Sequence, residues 1–148
     1  MDFLRVFVEK RPGFEVEASR LGEELADFLG GRYPELARLE GLRILHRYDA
    51  ANLDEDNFRL ATELVFSEPQ CDRVFFCQTV PVEPGDRFFG IEYLPGQYDQ
   101  RSDSAEQCVE TALAGRLSAS RPRVRAARFI VLCPGDLPVS DEALEAVK

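Results

Sequence analysis

The chain has 148 residues, enough for one compact domain or a fused pair of small ones, and at this length folding buries roughly 70% of the unfolded surface. An apolar fraction of 45%, with eleven Phe and four Tyr, excludes a wholly disordered polymer, and a net charge of -9 repels a phosphate backbone, which argues against nucleic acid as a partner. No run reaches the roughly 18 apolar residues of a membrane helix and no signal-peptide core precedes the first strand pattern, so a cytoplasmic globular protein with no membrane contact is expected.

Leu4, Val6 and Val8 alternate with Arg5, Phe7 and Glu9, the period-two pattern of a strand, until Arg11, Pro12 and Gly13 break it. Phe14, Ala18, Leu21, Leu25 and Phe28 then step by four and three, predicting an amphipathic helix that stops at Gly30 and Gly31. After a loop with Pro34, Leu42 to Tyr48 reads as a second strand, with Asp49 to Asn52 as a bent continuation or short hairpin. Asp54 or Asn52 caps the next helix, whose buried face is Leu53, Phe58, Ala61, Leu64 and Val65, and Arg73 to Cys77 follows as a strand. Pro81, Pro84 and Gly85 mark a linker over 80–86, which divides the chain into halves 1–79 and 87–148.

In the second half, Arg87 to Leu94 reads as a strand and Pro95 with Gly96 as a turn. The helix is placed from Ser104, whose hydroxyl with Gln107 makes a capping box above the stripe Ala105, Cys108, Val109, Ala112 and Leu113. Val124 to Cys133 is the next strand, Pro134 and Gly135 end it, and Ser140 caps a last helix containing Leu144 and Val147.

Val8, Glu9, Pro12, Gly13 and Phe14 anticipate Ile91, Glu92, Pro95, Gly96 and Tyr98, about 83 positions on, and Leu42 with Arg43 anticipates Val124 with Arg125. One supersecondary unit written twice is the simplest source of such an echo. The predicted fold class is α+β: two ferredoxin-like-related units under a pseudo-two-fold axis, a mostly antiparallel sheet with helices on one face. A single eight-element sandwich is the alternative. By the repeat, more helix and one strand should follow Lys148, so the second unit is expected to be incomplete and to leave a sheet edge open to homodimerisation.

Chemistry is sparse. His46 is the single histidine, and Cys71, Cys77, Cys108 and Cys133 are spaced too irregularly for a metal knuckle and read as buried thiols. Phosphate-loop and dinucleotide fingerprints are absent, so no catalytic, cofactor-binding or metal-binding residue is predicted. Arg121, Arg123, Arg125 and Arg128 form a basic run that reads as a solvated strand edge. The remaining concentration of polar groups is the turn that follows the strand at Arg87, where Gln97, Asp99, Gln100, Arg101, Ser102 and Asp103 lie within seven positions. They form a docking surface or wet passage, or they satisfy the turn and the helix start; both readings stand.

The run EYLPGQYDQRSDSAEQC, Glu92 to Cys108, closely resembles a signature in the N-terminal region of large single-chain phosphoribosylformylglycinamidine synthases, which carries Phe where Tyr98 stands and Ala where Ser102 stands. The stretches VFVEKRPGFEVEA, GLRILHRYDAANL and VFSEP look like other landmarks of that region, and the likeness runs from about Arg5 to the last residue. The resemblance implies a domain similar to two fused copies of the small PurS-type accessory subunit. It implies membership of a ligase of purine biosynthesis that uses glutamine as amido donor, with ATP and magnesium handled by later domains. It also implies that this domain is a non-catalytic scaffold between the synthetase and glutaminase parts, assisting ammonia transfer. Pro95, Gly96, Gln97, Asp99, Gln100, Arg101 and Asp103 are the interdomain contact candidates.

Overall fold

In the computed structural model, which describes residues 3–94, 97–117 and 120–148, the alternating segments become strands of one sheet. They are β1 (Phe3–Lys10), β2 (Gly41–Ala51), β3 (Asp72–Phe75), β4 (Arg87–Ile91) and β5 (Arg123–Cys133), in the spatial order β3-β1-β2-β5-β4. Every ladder is antiparallel. Five helices accompany them: α1 (Val16–Leu29), α2 (Pro34–Ala37), α3 (Glu55–Ala61), α4 (Gln100–Ala112) and α5 (Asp141–Val147). The fold class is therefore α+β, and among the described residues no helix is long and apolar enough to cross a membrane.

Because strand side chains alternate between faces, the even-numbered residues of β1, β2 and β5 share one side. There Val6, Val8, Tyr48, Ala50, Val124 and Ala126 pack with Phe58 of α3 and with Val109 of α4. Farther along the same face, Ile130 and Leu132 pack with Leu25 of α1, Leu36 of α2 and Leu144 of α5. Full burial of each such aliphatic side chain stabilises by about 1.5–3 kcal/mol. The odd-numbered face holds Phe7, Leu45 and Val131, covered by Cys77, Val80 and Val82. The predicted linker is thus a strap across the sheet, fastened where Arg5 and Arg43 donate to the carbonyls of Gln78 and Pro81, each at 2.7 Å.

Several boundaries differ from expectation. β2 runs unbroken to Ala51, and Asn52, at a left-handed φ of 67°, ends it in place of a hairpin. After Asp54, which caps α3 by accepting from Asn57 N at 2.7 Å, the helix widens into a π-helical turn at Thr62–Phe66. The wider turn carries Thr62 and Phe66 inward, Phe66 stacking on Tyr48, and leaves the expected core residue Leu64 57% exposed. In α1 the stripe narrows to Ala18, Leu21 and Leu25, while Phe14 and Phe28 face solvent. Gly30, the C-cap of that helix, allows α2 to pack closely: a Cβ there would meet Ala37 Cβ at 2.9 Å.

The β1–β2 and β4–β5 ladders, which flank β2–β5, share a register. Phe7 faces Arg47 and Gly90 faces Phe129, so a step of 83 along β1 to β4 (90 − 7) accompanies a step of 82 from β2 to β5 (129 − 47), and these steps reproduce every β4–β5 pair from a β1–β2 pair. In the central ladder His46 faces Arg128, the residue 82 positions on (128 − 46), which makes this pair the pivot of the register symmetry.

Candidate functional site

The pivot lies between the two helix-side clusters, where neither set of apolar side chains closes over the sheet. His46 and Arg128 form the floor of a cleft here. Its walls are the start of α1 with Glu17, the π-helical turn with Val65, and the start of α4 with Gln100 and Arg101. The space divides into two adjoining cavities of about 670 Å³ and about 860 Å³, both lined by Glu17, His46, Tyr48, Val65 and Arg101.

Electrostatics in the cleft follow from its depth and its cations. Burial pushes the His46 imidazole down to about 4, with Arg101 and Arg128 adding to the shift, so at neutral pH the ring is uncharged. Its Nδ1 is buried without a hydrogen-bond partner among the described residues, as are Arg128 Nε and Glu15 Oε2. Arg101 donates to the Tyr48 hydroxyl at 3.1 Å, and Arg128 pairs with Glu17 at 3.0 Å. The site thus offers a neutral imidazole, two guanidinium groups and a phenol, a set that recognises polar or anionic groups by hydrogen bonding.

The structure separates the sequence-predicted turn residues into different tasks. Asp99 caps α4, accepting from Ser102 N at 3.2 Å, so the helix starts four residues before the expected cap at Ser104, which instead sits inside it. The carboxylate wins because it reaches the open N–H groups of the first turn, while Ser102, buried beneath, accepts from Ala126 N at 2.8 Å and ties α4 to β5. Gln97 closes its own turn: its side-chain carbonyl accepts from Leu94 N at 3.0 Å. Asp103 accepts from Gln107 Nε2 at 2.9 Å and lies outside the cleft lining. Gln97, Asp99, Gln100 and Arg101 do line it. Pro95 and Gly96 lie outside the described residues.

Two further expectations change. β5 is an interior strand between β2 and β4, so its arginines are not an edge guard; Arg121, Arg123, Arg125 and Arg128 each meet a carboxylate, from Glu110, Glu106, Glu92 and Glu17. None of the thiols is fully buried: Cys108 is exposed on the cleft wall, and the others are half-buried. Burial raises Cys133 to about 11 and raises Cys77, which keeps both protonated and weakly nucleophilic. Among the described residues no group of three or more His, Cys, Asp or Glu is placed to hold a metal ion.

Glu17 and Arg128 carry no signal in the sequence as partners of His46, because the β2–β5 register brings Arg128 opposite it and the packing of α1 brings Glu17 to the same cleft, whereas Tyr48 lies two residues along β2 on the same face. Comparison of the chain with protein-family models, curated proteins and solved structures finds no match.

Proposed function

We propose that this chain is the non-catalytic N-terminal scaffold domain of a phosphoribosylformylglycinamidine synthase, acting in the cytoplasm as a bridge between the synthetase and glutaminase parts and assisting ammonia transfer. The observation that carries this reading is the Glu92–Cys108 signature, whose side chains Gln97, Gln100 and Arg101 wall the polar cleft at the sheet's pivot. The common register of the β1–β2 and β4–β5 ladders supports a duplicated PurS-like unit, and the turn's second copy adds polar groups that the first, at Arg11–Phe14, lacks. ATP, magnesium and the glutaminase nucleophile belong, on this reading, to other domains of the enzyme. The domain's part is a tight polar fit that keeps bulk water from the ammonia route.

The test is made in the full enzyme. Arg101→Ala and Gln97→Ala should uncouple the two reactions, so that glutamine is hydrolysed in excess of amidine product; unchanged stoichiometry would overturn the role. Asp99→Ala is a poorer probe, because loss of a helix cap costs about 1 kcal/mol of fold stability by itself.

A second reading, a free-standing ligand-binding or regulatory module, is favoured by one observation: three buried polar atoms without partners among the described residues, on Glu15, His46 and Arg128, gather around the cleft. A metabolite retained through purification and displaced by Arg101→Ala would select it.

A further inference from the structure

Of the two adjoining cavities, the one of about 670 Å³ is walled by β1, the turn into α1, β2, the π-helical turn and Arg101 of α4. Most of its charged lining is already matched. Glu9 takes Arg43 and Arg73, Asp72 takes Lys10, and Glu17 takes Arg128, while Glu68 stands exposed in solvent. One acid and one base remain. Glu15 sits at the N-cap of α1 without capping it, and its Oε2 is buried with no hydrogen-bond partner among the described residues. Arg101, on the surface at the rim, donates to the Tyr48 hydroxyl and meets no carboxylate among the described residues.

A carboxylate at an N-cap ordinarily accepts from the N–H groups of the first turn. Burying it beside a cavity with no donor costs stability, which a ligand that brings donors recovers. His46 Nδ1, on the floor of the same cavity, is the second such atom, and the uncharged ring accepts there when its proton is on Nε2. Two buried acceptors match an ammonium, with its three N–H donors, and the guanidinium at the rim matches a carboxylate. Val8, Ile44 and Val65 add an apolar wall.

We propose that this cavity binds a free α-amino acid with an apolar side chain. Its ammonium meets Glu15 and His46, its carboxylate meets Arg101, and its side chain packs on Val8, Ile44 and Val65. Such a site rests on the ligand-binding reading of the cleft, to which it adds the ligand class.

The probes are L-phenylalanine, hydrocinnamate, which lacks the ammonium, and phenethylamine, which lacks the carboxylate, each titrated by NMR into the 148-residue chain at neutral pH. L-Phenylalanine should bind about tenfold more tightly than either fragment, as expected when each charged contact contributes separately. Glu15→Gln should lower L-phenylalanine to the affinity of hydrocinnamate and leave hydrocinnamate unchanged. Arg101→Ala should lower it to the affinity of phenethylamine and leave phenethylamine unchanged. The comparison of the three probes uses the unaltered chain, so it decides even where a variant fails to fold. A fragment that binds as tightly as L-phenylalanine, or a folded variant that weakens all three probes alike, would overturn the proposal. Binding by none of the three overturns it too. In that case a retained metabolite still displaced by Arg101→Ala would keep the ligand-binding reading, and its absence would remove both.

Discussion

On the strap side of the sheet, Glu9 lies between Arg43 and Arg73, and Asp49 lies between Arg5 and Arg47, with contacts from 2.6 to 3.4 Å. On the helix side of the sheet, His46 Nδ1, Arg128 Nε and Glu15 Oε2 are buried without partners among the described residues. Both faces put arginine beside acid, but the first matches nearly every donor to an acceptor, Arg47 Nε excepted, and the second leaves several polar atoms without partners among the described residues. Buried charge that is fully matched acts as structure, while polar groups left unmatched around a cavity remain able to bind.

The strap-side network gives the largest expected effect. Glu9→Ala strands Arg43 and Arg73 and should cost about 3–5 kcal/mol, read as a lower urea midpoint at unchanged slope. The helix side should show itself through pH instead. The folded His46 value of about 4 lies below the ordinary 6.5, so between these values the unfolded chain binds the proton more readily. Stability tied to the neutral ring is therefore complete above pH 6.5 and falls by about 3 kcal/mol as pH drops to 4. His46→Gln should flatten that part of the urea-midpoint profile. Ser102→Ala leaves Ala126 N buried without its acceptor and should cost about 1–3 kcal/mol by the same measurement. Arg101→Ala should change stability least, by under about 0.5 kcal/mol, since the residue is on the surface. Yet it removes a cation that depresses His46, so an NMR titration should find the imidazole more basic.

Elements governed by neighbours in sequence were legible from residues alone. The alternation of Leu4 to Glu9 predicts β1, Ser140 is the expected cap of α5, and of the two caps the sequence offers for α3, Asp54 and Asn52, the structure uses Asp54. The start of α4 differs from expectation because Ser104 with Gln107 and Asp99 are both locally acceptable caps, and burial of Ser102 against β5 decides between them. Leu64 faces solvent and Phe66 takes a place in the core because a single π-helical turn shifts the buried face, and neither residue type announces it. The cleft was half visible. Arg101 and its neighbours stand out by polarity, whereas Arg128 groups in sequence with a basic run that suggests an exposed edge, because strand order is a long-range property. His46 drew attention only as the single histidine, and its environment depends on a register spanning 82 positions (128 − 46).

That span also governs how the chain emerges from synthesis. β2 completes its outer ladder with β1 early, but its inner edge gains a neighbour only when β5 follows, so the middle of the sheet is the last part to close. Until then Leu45 and Ile44, both buried in the finished molecule, border an open edge in a nascent chain already able to collapse. The interval between translation of Ala51 and of Arg123 is thus the period of greatest aggregation risk, and holding the strap against the sheet shields one face while the other waits.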